Sequence, residues 1–384
     1  MSFIKALLYL SWLLLLPLLI VGNIFPEERL TFLFIPFNFI VFFVLFITFC
    51  LLLFNSRNNN DIKKISLLIA PFLVLYLACF SFYDISLIGV QKYFNYVILG
   101  YMGCVLLIIS TEVGELKGIF KVTIYFLMLL FVAALLWKLK YGFWERHVHY
   151  FLNGPIVFGR NMAVGFFLSL ILAKYERKFL IYCFIFAFGV FWSMSKGPIL
   201  AFLICCGIII YLKKKRNFIV FFLLFGIIGF ALITGIIDLS NTPFKRIQLG
   251  FQVALGFSNS SAASGSLDSR VDMIQDTVGI ISSHFFTGVG SGNWGNVLYS
   301  PFTYPHNIFL EVYSELGIFL GTFLLIPCCI FIFFYKSDYF VLPLFFLISH
   351  QFSGDVADAR WLLLFALFVY AEGNKMKFSV TNTD

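Results

Sequence analysis

Charge is what this sequence has least of. Only 12% of its 384 residues are Asp, Glu, Lys or Arg, where a soluble domain carries about a quarter. Such a chain cannot clothe a water-facing surface, and its mean hydropathy of +0.96 marks an integral membrane protein. Acidic residues are scarcer than basic ones, 19 against 27, but the net charge of +8 is spread over short loops and calls for no nucleic-acid partner. The eight cysteines (50, 80, 104, 183, 205, 206, 328 and 329) all fall inside apolar segments. They show no paired-ligand spacing, which argues against a thiolate metal cage and leaves them as small packing residues. No small-residue cleavage site follows the first apolar run, which is longer than a signal-peptide core of about 7–15 residues; a retained first helix behind Lys5 is expected. The glycine-rich stretch "TGVGSGNWG" (287–295) lacks the Lys-Ser/Thr ending of a phosphate-binding loop and follows no strand pattern, so nucleotide binding is excluded.

What the sequence has in abundance is phenylalanine, 53 residues, and long apolar runs. These lie at 6–25, 30–54, 65–83, 90–110, 119–137, 161–173, 179–194, 199–212, 217–237, 308–334, 340–352 and 361–371. A helix needs about 20 apolar residues to cross a bilayer. The expectation is an all-α, polytopic helical bundle of about twelve transmembrane helices, a single transmembrane domain over 1–384. Several runs are short, so ten or eleven spans with one re-entrant segment is the alternative.

With the amino terminus inside, the loops carrying Arg57, Lys63, Lys64, Lys117, Lys174, Arg177, Lys178, the run Lys213 to Arg216, Lys336, Lys375 and Lys377 all fall on the cytoplasmic side. That obeys the positive-inside rule, and topology anchoring explains the 213–216 run. Lys138, Lys140, Arg146, Arg160, Lys196, Lys245, Arg246, Arg270 and Arg360 then fall on the outer side. A cluster of cations there implies an anionic ligand, while snorkelling at helix ends accounts for single residues such as Lys138 and Lys140.

One connection is long. Residues 238–305, about 68 residues rich in Asn, Ser, Gly and Pro, form an outer loop inserted between spans. Its serine-rich piece 258–267 reads as a flexible tip. Apolar residues at 271, 273, 274, 278, 280 and 281 predict a short helix opened by Arg270 and lying near the membrane surface. The glycine-rich stretch has the composition to wrap closely around a ligand. "SPFTYPHNIFLEVYSELGIFLG" (300–321) then feeds the next span, with Asn307 as its cap. His306 precedes that helix, where the macrodipole disfavours an imidazolium, so a neutral ring able to accept a proton is expected. Glu311 and Glu315, four apart, share a helix face and must point into the bundle; they orient His306, pair with a basic residue or stay protonated, and pairing is the simplest reading. "HVH" (147–149) lacks a third metal ligand, and His284 and His350 receive no role.

An arginine opening a helix, a "HFFTGVGSGNW" run and "PHNIFLEVYSELGIFLG" together resemble the signature region of the O-antigen ligase/O-antigen polymerase (Wzy-C) membrane family. The likeness covers roughly 270–321; "FGRN" (158–161) and "SMSKGPIL" (193–200) resemble two earlier family motifs. The ligase pattern places a small residue three positions after Gly317, where this chain has Leu320, with Gly321 one place later. The family's Ser-Arg-Gly is Ser195-Lys196-Gly197 here, which keeps the charge and loses the bidentate fork.

The resemblance implies a GT-C-like glycosyltransferase in a bacterial inner membrane, both termini cytoplasmic, with its active site facing the periplasm. The implied donor is an undecaprenyl-pyrophosphate-linked oligosaccharide, and no cofactor or metal is implied. His306 would take the proton of the acceptor hydroxyl, while Arg270, Arg160 and Lys196 stabilise the departing pyrophosphate; Asn307, Glu311, Glu315 and Arg246 would support them. The expected activity is an O-antigen polymerase, with a chain-length regulator as a further partner. A ligase that delivers the glycan to lipid A core is the alternative, and a transporter of the lipid-linked sugar a third reading, against which stands the absence of an internal repeat relating two halves.

Overall fold

The structure, a computed structural model, describes residues 3–21, 31–32, 35–56, 60–79, 86–144, 154–213, 261–300, 302–352 and 354–381, together with 223, 245 and 248. The expected span 217–237 apart from residue 223, the loop 145–153 containing "HVH", and Arg246 lie outside these residues.

The protein is an all-α polytopic membrane protein. Its helices are α1 (Phe3–Val21), α2 (Phe37–Asn55), α3 (Asn60–Cys79), α4 (Leu87–Phe94), α5 (Gly100–Glu112), α6 (Leu116–Tyr141), α7 (Pro155–Ala173), α8 (Phe179–Trp192) and α9 (Lys196–Lys213). After these come α10 (Ser261–Ser283), α11 (Trp294–Leu298), α12 (Ile308–Cys329), α13 (Val341–Ser349) and α14 (Arg360–Thr381). A wide π-turn at Asn95–Leu99 joins α4 to α5, and tight 3-10 turns at Ile330–Phe334 and Ala357–Ala359 follow α12 and precede α14. A two-residue antiparallel pair, Thr31–Phe32 with Ile35–Pro36, is the only β-structure among the described residues.

Seven described helices are long and apolar enough to span a bilayer. Of the runs behind the expected count of about twelve, 217–237 lies almost wholly outside the described residues and some others form shorter helices. Helix α13 has 9 residues, roughly 14 Å at 1.5 Å per residue, about half of a hydrocarbon core. Helix α8 has 14. The outward surfaces of the spans are apolar: Leu67, Leu77, Leu129, Leu136, Ile181, Phe184 and Phe333 are all exposed, as a lipid-facing surface requires.

Helices α5 and α14 form the centre, with α14 buried over Trp361 to Val369. Small residues set their separation. A side chain at Gly100 or Gly103 would collide with Leu363 or Leu364 of α14, so glycine lets the two backbones close up. Polar groups tie the periphery: Trp12 Nε1 donates to Thr123 Oγ1 at 2.8 Å between α1 and α6. Arg360, expected among the outer cations, is 2% exposed. Its guanidinium donates to the carbonyls of Leu19 (2.6 Å), Ile20 (3.2 Å) and Ala357 (2.6 Å). It thus satisfies carbonyls that the end of α1 leaves open.

Lys138 behaves likewise. Buried, it donates to the carbonyl of Trp192 at 3.3 Å and lies 4.2 Å from that indole ring, a cation–π contact.

The outer segment departs from expectation in one respect. Helix α10 does not begin at Arg270 but at Ser261, so most of the serine-rich piece expected as a flexible tip is helical. Met273, Thr277 and Ile280 are its inward face, sealed by Trp294 of α11, whose Nε1 donates to Thr277 Oγ1 at 2.9 Å. Val271, Ile274 and Val278 form an exposed apolar stripe on another face.

Candidate active site

The site is organised by a break in α12. Gly317 adopts φ 69° and ψ 179° inside this helix, a conformation open essentially only to glycine. The break frees the carbonyls of Ser314 and Glu315, and the glycine-rich stretch supplies their donors: Val289 N to Ser314 O and Gly290 N to Glu315 O, both 2.9 Å. Ile318 N returns a bond to Phe285 O at 2.9 Å. Gly288, Gly290 and Gly292 all have positive φ. A Cβ on Gly288 would lie 2.4 Å from Glu315 O. The stretch that composition fits for close wrapping therefore wraps the broken helix of its own chain. It also reaches α3 and α4, through Tyr76 Oη to Ser291 Oγ (3.0 Å) and Ser86 Oγ to Ser291 O (3.0 Å).

Beneath this junction lies a buried ionic cluster. Glu311 and Glu315, both 0% exposed, meet Lys92 of α4, whose Nζ bonds to Glu311 Oε1 and lies 3.1 Å from Glu315 Oε1. Tyr93 Oη donates to Glu315 Oε2 at 2.9 Å, and the Val356 amide donates to Glu311 Oε2 at 3.0 Å. All four carboxylate oxygens are thereby engaged, which is what makes two carboxylates tolerable in an apolar bundle. Sequence reasoning missed Lys92 and Tyr93. The available signal was that Lys92 is the one charged residue in the run 90–110, and a lone intramembrane charge demands a partner.

Asn307 caps α12 as expected: its Oδ1 accepts from Phe309 N (3.0 Å) and Leu310 N (3.2 Å). Its Nδ2 donates to Gln351 Oε1 at 2.9 Å, and Ile308 N donates to the His350 carbonyl at 3.2 Å. These bonds fasten the start of α12 to the α13–α14 connection. His350 is fully buried there, with Nδ1 2.8 Å from Phe346 O.

His306 sits directly before the cap in a left-handed conformation, φ 58°. Its ring meets Tyr304 edge-on with centroids 4.6 Å apart, and Phe302 at 5.8 Å. Nδ1 is buried without a hydrogen-bond partner. Desolvation, and then the positive charge of Arg270, push the imidazole below its ordinary value of 6.5, against a smaller opposing pull from Asp355. Arg270 is exposed on α10.

Arg160 of α7 is placed differently. It is 3% exposed, donates from Nε to Ser349 Oγ at 2.9 Å and pairs with Asp358 Oδ2 at 3.5 Å. Gly354 passes over it with φ 91°, where a Cβ would lie 2.5 Å from the guanidinium. Lys196 is exposed at the start of α9, and the neighbouring Gly197 packs against Phe352 of the same connection. Asp355, whose Oδ1 accepts from Asp358 N at 2.9 Å, is electrostatically coupled to His306, Arg160, Tyr304 and Lys92. Burial and the adjacent Asp355 and Asp358 carboxylates push the Tyr304 hydroxyl well above its ordinary value, keeping it a neutral donor.

No curated protein matches the chain. Residues 181–326, from α8 into the second half of α12, match the Wzy_C family model, described as O-antigen ligase, a likeness that supports O-antigen polymerase or ligase activity in general for this multi-pass membrane protein.

Proposed function

We propose that the protein is an O-antigen polymerase, joining lipid-linked repeat units by inverting glycosyl transfer at His306 and Arg270. The observation that carries the proposal is the buried His306 Nδ1 without a hydrogen-bond partner, directly before the Asn307 cap of α12, in an imidazole held below its ordinary value by desolvation first and by the charge of Arg270 second. A neutral imidazole takes the proton of the acceptor hydroxyl as that oxygen attacks the anomeric carbon. The bond to the pyrophosphate breaks, and the charge left on the departing lipid pyrophosphate falls to exposed Arg270, with Lys196 as a second cation. Arg160 serves this chemistry from beneath, holding the 350–359 connection and its Asp355 against the site. Arg246 belongs to the same proposal from the outer loop.

The exposed apolar stripe Val271, Ile274 and Val278 beside Arg270 supports a lipid-borne donor, since it offers apolar contact next to the cation. The basic residues Lys63, Lys64, Lys117, Lys174, Lys178, Lys213 and Lys336 sit in connections or helix ends on the side away from His306, which supports a periplasmic site. We place the protein in the inner membrane with both termini cytoplasmic, as one transmembrane domain with an inserted periplasmic loop over 238–305, working with a separate chain-length regulator.

The family description, O-antigen ligase, favours a second reading in which the acceptor is lipid A core. Polymerase is preferred because Leu320, buried in α12, replaces the small residue of the ligase pattern. A lipopolysaccharide gel of a strain lacking and then regaining the gene separates the two. Core carrying a single repeat, with the ladder gone, means polymerase. Bare core with polymer retained on undecaprenyl pyrophosphate means ligase.

A further inference from the structure

At the end of the bundle remote from His306, α7, α9 and the start of α13 enclose a groove of about 390 Å³, within the roughly 300–1,000 Å³ range of ligand sites. Its walls are apolar, including Phe167 and Ile171 of α7, Ile209 of α9 and Val341 of α13. Its rim is basic, with Lys174, Lys213 and Lys336 facing one carboxylate, Asp338. Asp338 is taken by Lys174. Lys213 and Lys336 are exposed, and among the described residues neither makes an ion pair. No step of the proposed glycosyl transfer uses these residues.

We propose that this groove binds the headgroup and upper acyl chain of an anionic phospholipid. Two features select that occupant. The two unpaired lysines supply positive charge where a bilayer places its phosphates, at the end of α9 and just past the α12 span. The apolar walls run from that rim along α7 and α9, both long enough to span, so a chain entering between them replaces contact with bulk lipid. A soluble anion would satisfy the lysines but leave the walls uncovered. A zwitterionic lipid would bring its own cation beside the lysines and lose the charge complementarity. An acyl chain against the walls and a phosphate between Lys213 and Lys336 match both.

The test is native mass spectrometry of the purified full chain in detergent, with phosphatidylglycerol or phosphatidylcholine of identical acyl chains added. Wild type is expected to retain one phosphatidylglycerol in preference to phosphatidylcholine. Lys213→Gln with Lys336→Gln, both at exposed positions, should weaken that binding on the order of tenfold. Ile209→Trp, which fills the groove and leaves every lysine in place, should abolish it, while millimolar inorganic phosphate should not displace the lipid. Equal retention of both lipids, undiminished binding in the double variant or in Ile209→Trp, or displacement by inorganic phosphate would overturn the proposal. None of these readouts depends on glycosyl transfer.

Discussion

Lys92 and Glu315 meet at 3.1 Å in the buried interior, although 223 residues separate them in the chain. With Glu311 on the same face of α12, they form a cluster in which one ammonium faces two carboxylates. Removing that ammonium leaves uncompensated charge where water does not reach, and breaking a buried pair from one side typically costs about 3–5 kcal/mol.

Lys92→Met is therefore expected to lower the unfolding free energy of the detergent-solubilised protein by an amount in that range. Adding Glu311→Gln and Glu315→Gln to it should recover part of the loss, because neutral amides are cheaper to bury than carboxylates. A denaturation series on the four proteins checks this. If the triple variant were no more stable than Lys92→Met, the charge argument would fail.

Gly317 is the second point of stress. A Cβ there would sit 2.3 Å from Phe286 O and would have to hold φ 69°. Gly317→Ala should destabilise the protein by at least about 1–3 kcal/mol. Amide hydrogen exchange should also report loosening at Val289, Gly290 and Ile318, whose bonds depend on the break. Unchanged exchange at these three amides would mean the break is not what holds the glycine-rich stretch.

Much of this architecture was legible in the residues. Asn307 was readable as a cap because a short polar side chain before an apolar run has one efficient use there. His306 was readable because it precedes that cap. The face shared by Glu311 and Glu315 follows from their spacing, but their partner does not, since pairing across 223 residues leaves no local pattern. The same limit hid Arg360, whose three carbonyl acceptors lie partly in α1. The glycine-rich stretch misled in a different way: three positive-φ glycines fit a ligand cradle and a docking turn equally well, and only the position of the Gly317 break decides between them. Hydropathy does not distinguish a full crossing from a nine-residue half-helix such as α13, so run length alone does not fix which apolar segments cross the bilayer.

The pH dependence follows from His306. Its lowered value means the neutral ring predominates at pH 7 and persists somewhat below 6.5. The transfer rate should thus be flat around neutrality and fall as pH drops through the lowered value. Arg270→Ala removes one cause of that lowering and should move the acid limb upward in pH, toward the ordinary histidine value. A pH-rate profile of wild type and variant measures both. An acid limb in the variant at the wild-type position would separate Arg270 from His306.

The two arginines should differ in kind. Arg270 is exposed and meets the leaving group in the proposed reaction, so Arg270→Ala should reduce kcat on the order of 10²–10³-fold with little change in melting temperature. Arg160 is buried against Ser349 and Asp358, and Arg160→Ala should lower the melting temperature as well as the rate. Equal melting temperatures for the two variants would contradict the placement of Arg160 beneath the site.

The most direct measurement is turnover of a lipid-pyrophosphate-linked glycan by purified wild type and His306→Ala in liposomes, read as new glycosidic linkage formed. His306→Ala is expected to lose on the order of 10²–10⁴-fold in rate while still folded and still binding donor. Wild-type rates from a folded His306→Ala would contradict the proposed role of His306.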